Sequence, residues 1–254
     1  MNVSRRLLFA SDFWEVARPR TALNAGHLLI RLTNPATAFD LRSATDWLHC
    51  DNVARQALAE VLGASRCTVM FAHRWHPIGA AIGEPEAESS TPTFHLFGRW
   101  DAEPVTPGEQ LRLPAQRRVP APAEELKEYD GGLRTALRRL AAEQEAEPVP
   151  PADGTFPELT ARAPQVKAGA HHTLLSPALP PAPGGAVLTP GHLLALAAAI
   201  QGLTDRPGVT GLSCVVPEPG AGGLKFHAMG RSAGESLNPM QEFLDLPKVS
   251  QALL

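Results

Sequence analysis

The chain has 254 residues, 44% hydrophobic and 19% charged, which gives enough apolar material for a substantial core and argues against global disorder. Its formal net charge of −3 lacks the basic excess that broad nucleic-acid binding needs, so no nucleic-acid partner is expected. Three cysteines, Cys50, Cys67 and Cys214, form an odd set with no C-x-x-C spacing, and read as buried free thiols in a reducing compartment. The longest apolar run, Leu193 to Ile200, is far below membrane-spanning length, and Asp12 and Glu15 interrupt the apolar N-terminal stretch. A cytoplasmic protein without membrane contact is the expectation.

Two short strands are predicted over Arg6–Ala10 and Phe13–Ala17, around the turn-forming pair Ser11-Asp12. The nearly continuous apolar run His27–Leu32 predicts a strand covered on both faces. Asp40 is placed to cap a helix over Leu41–Leu62, whose apolar residues recur every three or four positions, and Gly63 stands at the expected helix end. Cys67–Phe71 is the next strand. A loop from His73 to Ser90 follows, then a strand over Thr93–Phe97. Leu111–Leu113 reads as a short edge strand, and residues 123–147 as a helix broken at Gly131-Gly132. Pro148, Pro150, Pro151 and Pro157 mark a connector. The organisation is therefore an N-terminal half with a helical extension (1–147), the connector (148–157) and a C-terminal half (158–254).

The second half repeats the first in order. Thr189-Pro190 opens a helix to about Gln201, Gly211–Val216 is a strand, Gly220–Gly223 a glycine loop, and Lys225–Met229 a further strand. Phe94-His95-Leu96-Phe97-Gly98-Arg99 and Phe226-His227-Ala228-Met229-Gly230-Arg231 share the pattern Phe-His-x-x-Gly-Arg, 132 residues apart. Collinear order around both copies indicates a tandem duplication.

Phe13-Trp14-Glu15-Val16, Leu23-Asn24-Ala25-Gly26-His27-Leu28-Leu29-Ile30, the Asp40-Leu41 helix start and Phe94-His95-Leu96 together resemble the histidine triad superfamily. The tandem arrangement is similar to its galactose-1-phosphate uridylyltransferase and diadenosine tetraphosphate phosphorylase branch. The resemblance spans about residues 5–100 and, in shorter form, 158–232. It implies an α+β fold of two halves, each an antiparallel sheet with a packed helix. These would join as an intramolecular pseudo-dimer, as a monomer with internal pseudo-symmetry or as a further homodimer. It also implies a small-molecule ligand, with nucleotides and sugar phosphates as candidates. In the family one strand reads His-x-His-x-His, and the middle histidine attacks an α-phosphate. The matching positions here are Thr91-Pro92-Thr93-Phe94-His95 and Gly223-Leu224-Lys225-Phe226-His227, so Thr93 and Lys225 stand where the nucleophile would be.

The candidate catalytic residues are therefore His95, His227 and Lys225, in acid/base or anion-stabilising roles. Arg99 and Arg231 are candidate anion clamps, and Thr93, His73 and His76 candidate ligand contacts. Each has a plainer alternative: a histidine bonded to backbone, a surface or ion-paired arginine, a solvated lysine. His171 and His172 are adjacent and point to opposite strand faces, so they make a poor ligand pair. Trp14 and Trp47 read as core. No metal site and no cofactor is expected. The reading is a diverged protein that binds a small phosphorylated or polar metabolite through non-nucleophilic groups. An active nucleotidyltransferase, phosphorylase or hydrolase is one alternative, and a non-catalytic binding or assembly protein the other.

Overall fold

A computed structural model describes residues 6–75, 82–88, 91–101, 103–144, 157–178, 188–219, 223–246, 249 and 253–254. The connector at 148–157 and the glycine loop at 220–223 fall almost wholly outside them. In chain order the elements are β1 (Leu7–Ala10), β2 (Trp14–Ala17), β3 (His27–Leu32), α1 (Leu41–Leu62), β4 (Arg66–His73), β5 (Thr93–Arg99), α2 (Pro107–Leu111) and α3 (Ala123–Glu143). Then come β6 (Leu159–Arg162), β7 (His172–Pro177), α4 (Pro190–Thr204), β8 (Gly211–Val216), β9 (Phe226–Arg231) and α5 (Pro239–Asp245).

The nine strands among the described residues form one antiparallel sheet in the order β1-β2-β3-β5-β4-β8-β9-β7-β6, so the fold class is α+β. The central pair is β4–β8, running from Val69↔Val216 to His73↔Leu212. Outward from it the order is β4, β5, β3, β2, β1 on one side and β8, β9, β7, β6 on the other, so the first four strands of the longer side match the four of the shorter.

Strand alternation divides the side chains between two layers. On one face Trp14, Ile30, Trp47, Leu96, Leu196 and Phe226 join the main core under α1, α3 and α4. On the other, Met70, Phe97, Val215 and Met229 meet Leu111 of α2, Met240 and Phe243 of α5, and Leu254. Trp14 and Trp47 are core residues, and the three cysteines are buried free thiols. Burial raises Cys50 and Cys67 to about 12, too high to be reactive thiolates near neutral pH.

Helix ends follow local chemistry. The Asp40 carboxylate accepts from Ser43 N at 2.9 Å, and Gly63 adopts φ 68° as it closes α1. Thr106-Pro107, Thr189-Pro190 and Asn238-Pro239 each place a capping side chain before a proline, and each opens a helix. This corrects the expected edge strand at Leu111–Leu113. The Thr106–Glu109 capping box instead winds Pro107–Leu111 into α2.

The break expected at Gly131-Gly132 is also corrected, because α3 is continuous across it. Two glycines cost a helix about 1 kcal/mol each, but Leu133, Ala136, Leu137 and Leu140 are buried along its inner face. A Cβ on Gly132 would meet Val61 Cγ1 at 3.1 Å, so that glycine lets α3 lie close on α1.

Candidate ligand site

The repeated pattern resolves into two matched histidine pairs. His27, at the start of β3, reaches diagonally across to His95 on β5, with Nε2 and Nδ1 3.0 Å apart. His172, at the start of β7, reaches His227 on β9 in the same way, at 3.1 Å. Both pairs lie on the sheet face covered by α2 and α5. Leu29, His95, Met70, Val215, His227 and Leu174 are register partners in succession, so they form one row across six strands.

Backbone donors fix the tautomers. Leu23 N donates to His27 Nδ1 at 3.2 Å, so in neutral His27 the proton sits on Nε2 and is donated to His95 Nδ1. His95 must then carry its own proton on Nε2. Ala168 N donates to His172 Nδ1 at 3.0 Å and imposes the same order on His172 and His227. The rings are neutral at physiological pH. Desolvation lowers His95 to about 3 and His172 to about 4, the latter with a smaller contribution from His227. Desolvation, aided by the Lys225 ammonium, lowers His227 to about 4. His27 is lowered well below the usual range by burial, then by His95, Arg18 and Arg118. No hydrogen-bond partner for His95 Nε2 or His227 Nε2 occurs among the described residues.

The surroundings hold each pair rigidly. Arg18 donates to the carbonyls of Ala25 and His27 at 2.7 and 2.8 Å and to Asp130 Oδ1 at 2.8 Å, tying the start of β3 to α3. Gly26 and Gly98 touch backbone to backbone, with Gly98 N donating to Gly26 O at 2.9 Å. A Cβ on Gly26 would lie 2.8 Å from Gly98 O, and one on Gly230 2.7 Å from His171 Cβ. A Cβ on Gly98 itself would meet Ala64 Cβ and Leu58 Cδ1 at 3.3 Å, so the glycine of Phe-His-x-x-Gly-Arg is closely packed in both copies, more tightly at Gly230. His27 lies against Phe97 with ring centroids 4.3 Å apart, and His227 against Phe243 at 5.0 Å.

Beside His95 is a cavity of about 190 Å³, lined in part by His73, Arg74, Trp75, Glu84, Glu88 and Thr93, with Ser213 from the other side of the central pair. Glu84 is buried here. Its Oε1 accepts from Ser213 Oγ and, at 2.5 Å, from Arg231 Nη1, and its Oε2 accepts from Trp75 Nε1 at 2.9 Å. Arg231 also lies over the Trp75 ring at 4.1 Å.

The expected site residues fare unequally. His95 and Thr93 line this cavity together, and the Thr93 hydroxyl donates to Thr91 O at 2.9 Å. His73 lines it too, but its Nε2 is buried with no partner among the described residues. Arg99 and Arg231 are buried in ion pairs with Glu103 and Glu235, each four residues on, rather than open to a ligand. Lys225 is solvent-exposed just before β9, which begins at Phe226, and His76 lies outside the described residues. His27 and Glu84 were not singled out from the sequence as site residues, and His172 was weighed only as a pair with His171 and set aside. His27 and His172 left a signal, a histidine at the start of a predicted strand ahead of each Phe-His copy, and the ion pairs left another, Arg-x-x-x-Glu at Arg99 and at Arg231. Among the described residues, no three His, Cys, Asp or Glu side chains converge as metal ligands, and no helix is long and apolar enough to cross a membrane.

A solved structure of a HIT-like protein involved in cell-cycle regulation, from Bartonella henselae with an unknown ligand, is similar to this chain at 18% identity. The match covers 52% of this chain and 85% of that one, with a TM-score of 0.33. No protein-family model matches the chain, and no curated protein does.

Proposed function

We propose that this chain is a diverged tandem histidine-triad-like protein that binds a small polar or phosphorylated metabolite beside His95, without a histidine nucleophile. Its halves would be residues 1–147 and 158–254, joined as an internal pseudo-dimer across β4–β8. The matched strand orders outward from that pair support this arrangement.

One observation carries the functional reading: Leu23 N–H fixes the His27–His95 relay, so the free edge of His95 presents an N–H and not a lone pair. Reversing the relay would set two donors face to face, either at Leu23 and His27 or between the two rings. Held this way, His95 is a neutral donor to a ligand oxygen, not an attacking nitrogen. Thr93 stands beside it, and a hydroxyl without an adjacent strong base is a poor nucleophile. The commitment of Arg99 and Arg231 to glutamates favours binding over phosphoryl or nucleotidyl transfer.

A thermal-shift series with nucleoside mono- and diphosphates, sugar phosphates and small amides tests this. Stabilisation by at least one class is expected, lost in His95→Ala and kept in His227→Ala. Acid-labile, hydroxylamine-sensitive labelling by a radiolabelled nucleotide would overturn the non-nucleophilic assignment.

A further inference from the structure

The cavity beside His95 is not closed off by the sheet. β4 and β5 are paired only as far as Phe71↔Phe94. Beyond that point Ala72 and His73 stay with β8, while Pro92 O accepts from Leu32 N on β3 at 3.4 Å. The strands therefore part and leave a notch at this edge. On the helix side of the notch lies a second cavity, of about 270 Å³, with mostly apolar walls that include Trp14, Phe39, Phe94, Leu193, Leu196 and Ile200. Phe71, Ala72, His73, Pro92 and Thr93 line both cavities.

We propose that the two cavities form one bipartite site that takes a ligand with an uncharged, amide-like head beside His95 and an apolar tail threaded through the β4–β5 notch under α4. The proposal rests on the reading of His95 as a ligand donor. The head is defined by the groups it would meet. His95 Nε2–H needs an acceptor. Glu84 Oε2 receives only the Trp75 bond, so it can take a ligand donor and would repel a ligand anion set beside it, whereas Glu88, also in the lining, is already paired with Arg6 at 2.7 Å. Arg74 is the cation lining this cavity, and it leans to Asp205 at 3.7 Å. A primary amide supplies both functions at once, its carbonyl to His95 and its N–H to Glu84. The tail is defined by the aromatic and aliphatic walls, whose lining holds no ionisable side chain apart from the shared His73 at the rim.

Calorimetric titration with acetamide, butyramide, octanamide and octanoate tests it. Burial of the chain should make octanamide bind at least roughly tenfold more tightly than acetamide, and octanoate should bind more weakly than octanamide. His95→Ala should weaken every amide, and Ala197→Trp, which fills the apolar cavity, should remove the chain-length gain. In the wild-type protein, nuclear Overhauser contacts from the terminal methyl of octanamide to the Phe39 and Phe94 rings should appear. They decide the question even if Ala197→Trp does not fold. If polar or phosphorylated probes bind in a His95-dependent way but chain length has no effect, the continuous site is overturned and the His95 site stands. If octanamide binds equally well to His95→Ala, both readings fall.

Discussion

His95 and His227 stand in one row of the sheet, on one face, with only Met70 and Val215 between them. Three strand spacings put their backbones roughly 14 Å apart. The same relay is thus built twice, but in different settings. His95 opens on a cavity lined from both sides of the central strand pair. His227 lies under Phe243 with Lys225 exposed beside it. Of the two histidines, the proposed ligand site is therefore the one at His95.

The tautomers can be read directly. In ¹⁵N spectra of the histidine rings, His95 and His227 should be neutral with the proton on Nε2 across pH 5–8. In His27→Phe, His95 loses the donor to its Nδ1 and should show a mixture of tautomers. A single Nδ1–H form of His95 in the wild type would refute the relay.

Acid should weaken the fold through these rings. His95 is lowered to about 3, His172 and His227 to about 4, and His27 in the same direction. An unfolded histidine takes its proton near 6.5, so between about 6.5 and 4 the unfolded chain binds more protons than the native one. The contribution is full above that window and declines as pH falls through it, by up to about 1.4 kcal/mol per pH unit for each group. Urea midpoints from pH 7 to 4.5 should fall steeply, and less steeply in His172→Phe.

The buried bond from Arg231 to Glu84 joins a loop of the first half to a strand of the second. Glu84→Ala leaves Arg231 with Glu235 and the Ser213 hydroxyl, and strips Ser213 and Trp75 of their acceptor. A loss of about 3–5 kcal/mol is expected in chemical denaturation. A double-mutant cycle with Ser213→Ala should show coupling.

Three glycines should answer alanine differently. Gly26→Ala drives a Cβ against the Gly98 carbonyl and should destabilise by about 2 kcal/mol or more. Gly131→Ala, in α3 with nothing within 4 Å, should stabilise by about 0.5–1 kcal/mol. Gly132→Ala meets Val61 and should gain less than Gly131→Ala. Melting temperatures of the three variants settle the order.

Much of the scaffold was legible from local patterns. The strand His27–Leu32, the helix Leu41–Leu62 with its caps, and the strand Gly211–Val216 stand where apolar periodicity and capping chemistry put them, because those signals act within a few residues. The α2 helix was hidden because a capping box outweighed a short apolar alternation. The continuity of α3 was hidden because its glycines are compensated by contacts with α1, which no local pattern records.

The site divided along the same line. The sequence by itself marked His95 and His227, since each sits in a repeated strand motif, and the family resemblance singled out Thr93. It could not show that Arg99 and Arg231 are consumed by glutamates, that His27 and His172 dictate which nitrogen of the next ring carries the proton, or that a notch beside Phe71 and Phe94 joins two cavities. Those facts depend on which strands lie side by side and in what register. Pairings between residues tens of positions apart are set only when the sheet closes and its two faces are covered.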